Sequence, residues 1–169
     1  MSRLERAKRA WAGQFAGLSQ VEIDDRVLGF ATIVRSIARS GALSSERFAD
    51  VMGVGVSRAE ELLADLEAIG MQSDGTGNIV GAALTTQASP HEVRVGGKDL
   101  YAWCALDTLF IPGLLGESAD IESVCPVSGG PVRLRVSPGR IESCEPADAW
   151  VSVFLPGSTL RKMGPASPT

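Results

Sequence analysis

Two side chains in the run Leu100-Tyr101-Ala102-Trp103-Cys104-Ala105-Leu106-Asp107-Thr108-Leu109-Phe110-Ile111-Pro112 could do chemistry together: the thiol of Cys104 and the carboxylate of Asp107. If the run is helical, their three-residue spacing puts both on one face, about one turn apart. At an ordinary pKa only roughly 3% of a thiol is ionised at pH 7, so a nearby base is useful. An ordinary aspartic acid is protonated only about 0.1% of the time at that pH, and works as an acid only if it receives a proton locally. A Cys–Asp pair meets both needs, because the carboxylate can take the thiol proton and pass it on. Trp103, Leu106 and Phe110 make an apolar wall around the pair. A carboxylate in such a wall is costly unless it is paired or its pKa rises. An isolated cysteine more often packs than reacts; Asp107 moves the reading toward chemistry.

The chain has two further cysteines, Cys125 and Cys144, and one histidine, His91. Three cysteines without a short-range pattern make a poor disulfide framework. With no Cys-x-x-Cys and one histidine, the sequence offers no closed zinc site. His91 reads as a polar group at a strand edge rather than as a ligand. Cys125 precedes a tight turn and reads as packing. Cys144 lies between Glu142 and Glu145, carboxylates that would raise its thiol pKa, and reads as a surface or packing residue.

The elements that must position the pair follow from periodicity. Residues 3–16 space Leu4, Ala7, Ala10, Trp11 and Phe15 as one helical face, which predicts a short docking helix rather than a membrane anchor. A helix is expected over about 24–39, with Val27, Leu28, Ala31, Ile33, Val34, Ile37 and Ala38 inward and Gly41 as its stop. A second is expected over 44–52, capped by Ser44 or Ser45, with Phe48 and Val51 inward. Gly53-Val54-Gly55 turns into a third, capped by Ser57 with Glu60 at the capping-box position, carrying Leu62, Leu63, Leu66 and Ile69 to Gly70. Asp74-Gly75-Thr76-Gly77-Asn78 predicts a hairpin. Together these make a winged-helix-like three-helix module over 21–80.

From residue 81 to about 156 the texture is that of a small antiparallel sheet domain with a short active-site helix. Strands are expected at 81–86, 91–95, 119–125, 132–136 and 149–155. Val132, Leu134 and Val136 alternate with Arg133 and Arg135, and the apolar run 149–155 predicts burial on both faces. Residues 157–169 are rich in Pro, Gly, Ser and Thr and are expected to form a loose tail. The fold class is therefore α+β, with residues 1–20 as the docking helix.

The chain is 44% hydrophobic and 21% charged with a net charge of −4, a balance typical of a soluble globular protein. An acidic chain argues against a general nucleic-acid surface. A winged helix still raises the question of DNA. Between Ser57 and Gly70 the reader helix sets Arg58 against Glu60, Glu61, Asp65 and Glu67, a local charge of −3 that a polyanion would repel. No apolar run approaches a membrane span, and the charged N-terminus is no secretory signal, so the expected location is the cytoplasm.

The Trp103-Cys104-Ala105-Leu106-Asp107-Thr108 stretch resembles the active-site segment of the alkylmercury lyases. The resemblance covers roughly 24–156, through Asp74-Gly75-Thr76-Gly77-Asn78-Ile79-Val80-Gly81, Lys98-Asp99-Leu100-Tyr101, Val124-Cys125-Pro126-Val127-Ser128-Gly129-Gly130-Pro131-Val132, Val136-Ser137-Pro138 and Glu145-Pro146-Ala147. It implies cleavage of a carbon–mercury bond in organomercury detoxification. Cys104 would capture mercury, a soft metal suited to thiolate, and Asp107 would protonate the departing carbon. It also implies no cofactor, since mercury is substrate and product; the partners would be the organomercurial and either a small cellular thiol or a mercuric reductase receiving Hg(II). The family's second catalytic cysteine lies beyond the strand matching Ala149–Leu155, where this sequence runs through Pro156-Gly157-Ser158 to Thr169 without one. The expectations are then an impaired enzyme, recruitment of another thiol (Cys125, Cys144 or an external one), or binding of mercurials without turnover. A rival from another class is a winged-helix regulator or metal sensor with Cys104 as its sensing thiol.

Overall fold

The computed structural model describes residues 17–152, and the helix expected over 3–16 and the tail at 157–169 lie outside them. Helices α1 (Gln20–Ser40), α2 (Ser45–Met52) and α3 (Val56–Ala68) come first. Helix α1 turns its 0%-exposed Ile33, Val34 and Ile37 onto Phe48, Leu62 and Leu66 of the other two. Gly29 permits this approach, since a Cβ there would stand 3.1 Å from Leu66 Cδ1 and 3.4 Å from Phe48 Cζ. The inward stripe is narrower than its hydrophobicity suggested. Val27, Leu28 and Val51 are all more than half exposed, because the helix contacts cover only one side of α1 and α2.

Ser44 caps α2 as expected, its Oγ accepting the Arg47 N–H at 3.2 Å. Helix α3 departs from expectation: it begins two residues earlier, after Gly55, which offers no side-chain cap, and Ser57 lies within it. Strands β1 (Gln72–Ser73) and β2 (Ile79–Ala82) form the expected hairpin. Asp74 builds its turn by accepting the backbone N–H groups of Thr76 and Asn78. Leu43, between α1 and α2, bridges to Ile79, so the helices and the wing share one ladder.

The segment expected as one strand at 81–86 is folded back on itself. Ala83 takes φ 60°, and β2 pairs with β3 (Leu84–Thr85) around it. Strands β4 (His91–Val95), β5 (Lys98–Ala102), β6 (Ala119–Val124), β7 (Pro131–Ser137) and β8 (Arg140–Glu145) complete an antiparallel sheet of order β1-β2-β3-β5-β4-β6-β7-β8. Helix α4 (Asp107–Leu115) leaves the sheet after β5 and buries Thr108, Ile111 and Pro112. The module boundary expected at residue 80 falls inside β2, and Gln20–Val151 cluster as one unit. Alternation in β7 reads out as expected, with Val136 buried and Arg133 and Arg135 paired on the solvent face to Glu122 and Asp120 of β6. Of the strand expected at 149–155, residues 149–152 form none, and Trp150 is 94% exposed; the rest lies outside the described residues.

Candidate active site

The Cys104–Asp107 pair sits where β5 ends and α4 begins, not on a helix throughout. Trp103 to Leu106 form the connecting turn, and Asp107 is the first helical residue. Its carboxylate Oδ2 accepts the backbone N–H of Cys104 at 2.9 Å, while its own N–H donates to the Cys104 carbonyl at 3.1 Å. This reciprocal ring spans residues 104–107 just ahead of the helix, which explains a three-residue spacing without a full helical turn. Thr108 is fully buried beside it and donates its hydroxyl to the Ala105 carbonyl at 2.7 Å. The turn is thereby fixed from both of its ends.

Asp107 is half-buried and makes no salt bridge among the described residues. Burial pushes its pKa above the usual carboxylate value, against opposing pulls from hydrogen bonding at Cys104 and from the charge of His91. Cys104 is exposed at the surface, yet partial burial also lifts its thiol. The apolar wall is divided. The Trp103 indole lies against Gly81 and Gly70 of the helix–hairpin module, so closely that a Cβ on Gly81 would stand 2.8 Å from Cζ2. Phe110 turns the other way, its ring 6.5 Å from that of Phe30 on α1. Leu106 is half-buried between them in sequence. Trp103 and Phe110 each stay 37% exposed, which leaves the turn open to a ligand from solvent.

The two other thiols stand on other strands. Cys125 follows β6, and hydrogen bonding from Ser128, side chain first, holds its thiol below the usual range. Cys144, on β8, donates to the Pro146 carbonyl at 3.2 Å and lines a cavity of about 400 Å³ with Glu122, Arg133, Leu134 and Glu145. A second cavity, of about 240 Å³, lies between α1 and the β4–β5 turn and is lined by Arg35, Arg39 and Lys98. Neither contains Cys104 or Asp107.

Sequence reasoning missed the polar groups behind the turn. His91 opens β4 as expected, and β4 runs between β5 and β6. Its register partner is Ser123, whose buried Oγ shares a 2.9 Å hydrogen bond with His91 Nδ1. Burial lowers the His91 pKa, and the charge of Asp107 raises it in part. The two residues are 32 apart in the chain, and only the sheet register joins them.

A thiol and a half-buried carboxylate with no salt bridge among the described residues are locked into one turn at the head of a short helix on an α+β scaffold. A family model described as alkylmercury lyase matches residues 84–163, which include both groups. An alkylmercury lyase of Bacillus cereus is 40% identical over 127 residues, covering 75% of this chain and 57% of that protein. One of Pseudomonas putida is 36% identical over 130 residues, covering 77% and 60%. The crystal structure of the mercury-bound form of MerB2 superposes with a TM-score of 0.69 at 25% identity, over 85% of this chain and 68% of that one. The chain is thus similar to the alkylmercury lyases, by the family model over residues 84–163 and by these relatives over about three quarters of its own length. It spans a little under three fifths of the length of the Bacillus relative.

Proposed function

We propose that this site cleaves the carbon–mercury bond of alkyl and aryl mercurials. The observation that carries the reading is the locked turn in which the Asp107 carboxylate is bound to the amide of the nucleophile Cys104. Cys104 attacks mercury as Asp107 takes its proton, forming the S–Hg bond and breaking S–H. Asp107 then delivers that proton to the carbon as the C–Hg bond breaks. The sum is R–Hg⁺ plus Cys–SH giving R–H plus Cys–S–Hg⁺, with the proton supplied by the thiol and no electron gained or lost. A carboxyl whose pKa burial has raised holds a proton at neutral pH better than an ordinary aspartate does.

A second sulfur on mercury would weaken the carbon bond, and its source is a small cellular thiol in this reading. Two sulfurs sharing one metal ion stand under about 5 Å apart, two metal–sulfur bonds. Cys125 follows β6, two strands from β5 in the sheet, and Cys144 lies on β8, four strands away. The exposed Cys104 leaves room for an external thiol. The DNA-binding alternative loses its main cation, since Arg58 is tied to Asp25 at 2.7 Å and Glu61 at 3.0 Å.

The test follows benzene release from a phenylmercury compound, with and without added small thiol. Release by wild type, stimulated by thiol and lost in Cys104→Ser, is expected. Equal release by wild type and Cys104→Ser would sink the assignment.

A further inference from the structure

The chain leaves the sheet at Ala102, and the way it leaves sets where Cys104 stands. The β4–β5 ladder pairs Val95 with Lys98 through Glu92 with Tyr101, so continuing the register sets His91 beside Ala102. One hydroxyl lies between those two residues. Ser89 Oγ accepts the His91 N–H at 3.1 Å and donates to the Ala102 carbonyl at 2.6 Å. Residue 90 is a proline and has no N–H to offer the carbonyl.

The same peptide unit is held on its other side. Trp103 N–H donates to the carbonyl of Ala83 at 3.0 Å. Ala83 is buried and holds φ 60°, the one non-glycine residue with positive φ among those described. A side-chain-bearing residue keeps that conformation only where its surroundings over-determine it. The Ala102–Trp103 peptide, one residue before the nucleophile, is thus pinned at its C=O by Ser89 and at its N–H by Ala83. Behind it, Ser123 fixes the His91 ring whose backbone Ser89 also holds.

We propose that Ser89 is a positioning residue for Cys104: its hydroxyl, wedged between the ends of β4 and β5, sets the exit angle of the Trp103–Asp107 turn. The wedge rests on the lyase reading for its catalytic consequence, but not for its geometry. Ser89→Ala removes the donor to Ala102 and the acceptor for His91, and β5 closes toward β4 or frays. Ser89→Thr keeps the hydroxyl. A displaced nucleophile reacts more slowly without binding its substrate less well, so kcat falls and KM holds.

The experiment compares full-length wild type, Ser89→Ala and Ser89→Thr by amide NMR and by benzene release from phenylmercury. Ser89→Ala should shift the Trp103 and Cys104 amide resonances, leave those of Val95 and Ala119 in place, and lower kcat about tenfold to hundredfold at little-changed KM. Ser89→Thr should restore both. Unmoved Trp103 and Cys104 amides in Ser89→Ala, or a threonine variant as impaired as the alanine one, would overturn the wedge. If Ser89→Ala does not fold, Ser89→Cys, which keeps the shape and weakens the hydrogen bonds, is read by the same criteria. If wild type releases no benzene, the lyase reading fails, and the amide shifts alone still decide the role of Ser89.

Discussion

Two aspartates on the rims of the same core are treated in opposite ways. Asp65 on α3 faces Arg26 on α1 at 2.8 Å, and their side chains are 43% and 19% exposed. It is a half-buried charge with a full counter-charge, and it joins two helices. Asp107 is buried to a similar class yet has no cation within salt-bridge reach among the described residues, only the Cys104 amide and a histidine whose charge is felt from further off. The carboxylate that ties α3 to α1 is matched by an arginine. Leaving Asp107 without one lets burial keep its proton affinity high, which a scaffold carboxylate has no use for.

One substitution made at both places breaks or sharpens that contrast. Asp107→Asn should lower hydrocarbon release about a hundredfold or more, the usual worth of a positioned proton carrier, while mercurial binding by Cys104 persists. Release within a few-fold of wild type would remove Asp107 from the chemistry. Asp65→Asn should leave release intact and cost roughly 1–2 kcal/mol of stability in urea unfolding, because it strands the mostly buried Arg26.

The stabilities should also differ in sign and in pH dependence. The Asp107 pKa is raised in the folded state, so the folded protein binds the extra proton. Stability from that group is full below the ordinary carboxylate range and is lost as pH rises through the raised value. Asp107→Asn should therefore be more stable than wild type at neutral pH, with the gain vanishing in acid. Urea midpoints measured across that range check it. A gain that persisted at low pH would mean that packing, not ionisation, is the cause.

Gly81→Ala should act at a smaller scale. The new Cβ meets the Trp103 indole at 2.8 Å, so the ring must shift. The expected cost is about 1–3 kcal/mol of stability, the range for overpacking, with a few-fold change in release because Trp103 adjoins the nucleophile. An unchanged Trp103 ring resonance would show that the hairpin yields instead.

These contrasts mark what the sequence can carry. Features written within one element were legible: the Ser44 cap, the Asp74 turn, the β7 alternation, and the closeness of Cys104 and Asp107. Features that depend on a partner far along the chain were not. Cys104 sits in a turn because β5 must end at Ala102 before α4 can cross the sheet. Ala83 can hold a positive φ only because β2 and β3 close around it. Val27 and Leu28 looked buried by periodicity, but nothing among the described residues covers them. The links Ser89–Ala102 and His91–Ser123 join residues 13 and 32 apart, and no local pattern announces them.

The smallest expected effect concerns Arg58, the one base on α3. Its ion pairs with Asp25 and Glu61 are partly exposed, so Arg58→Ala should change stability little. Hydrocarbon release should not change, since α3 supplies Gly70 at its end to the Trp103 seat but no charge to the turn. The same variant tests the winged-helix module directly. If the module read DNA, losing this arginine would weaken DNA binding and flatten its salt dependence by about one phosphate contact. In a module whose arginine serves only to hold α3 on α1, a gel-shift assay shows no binding for the variant to lose.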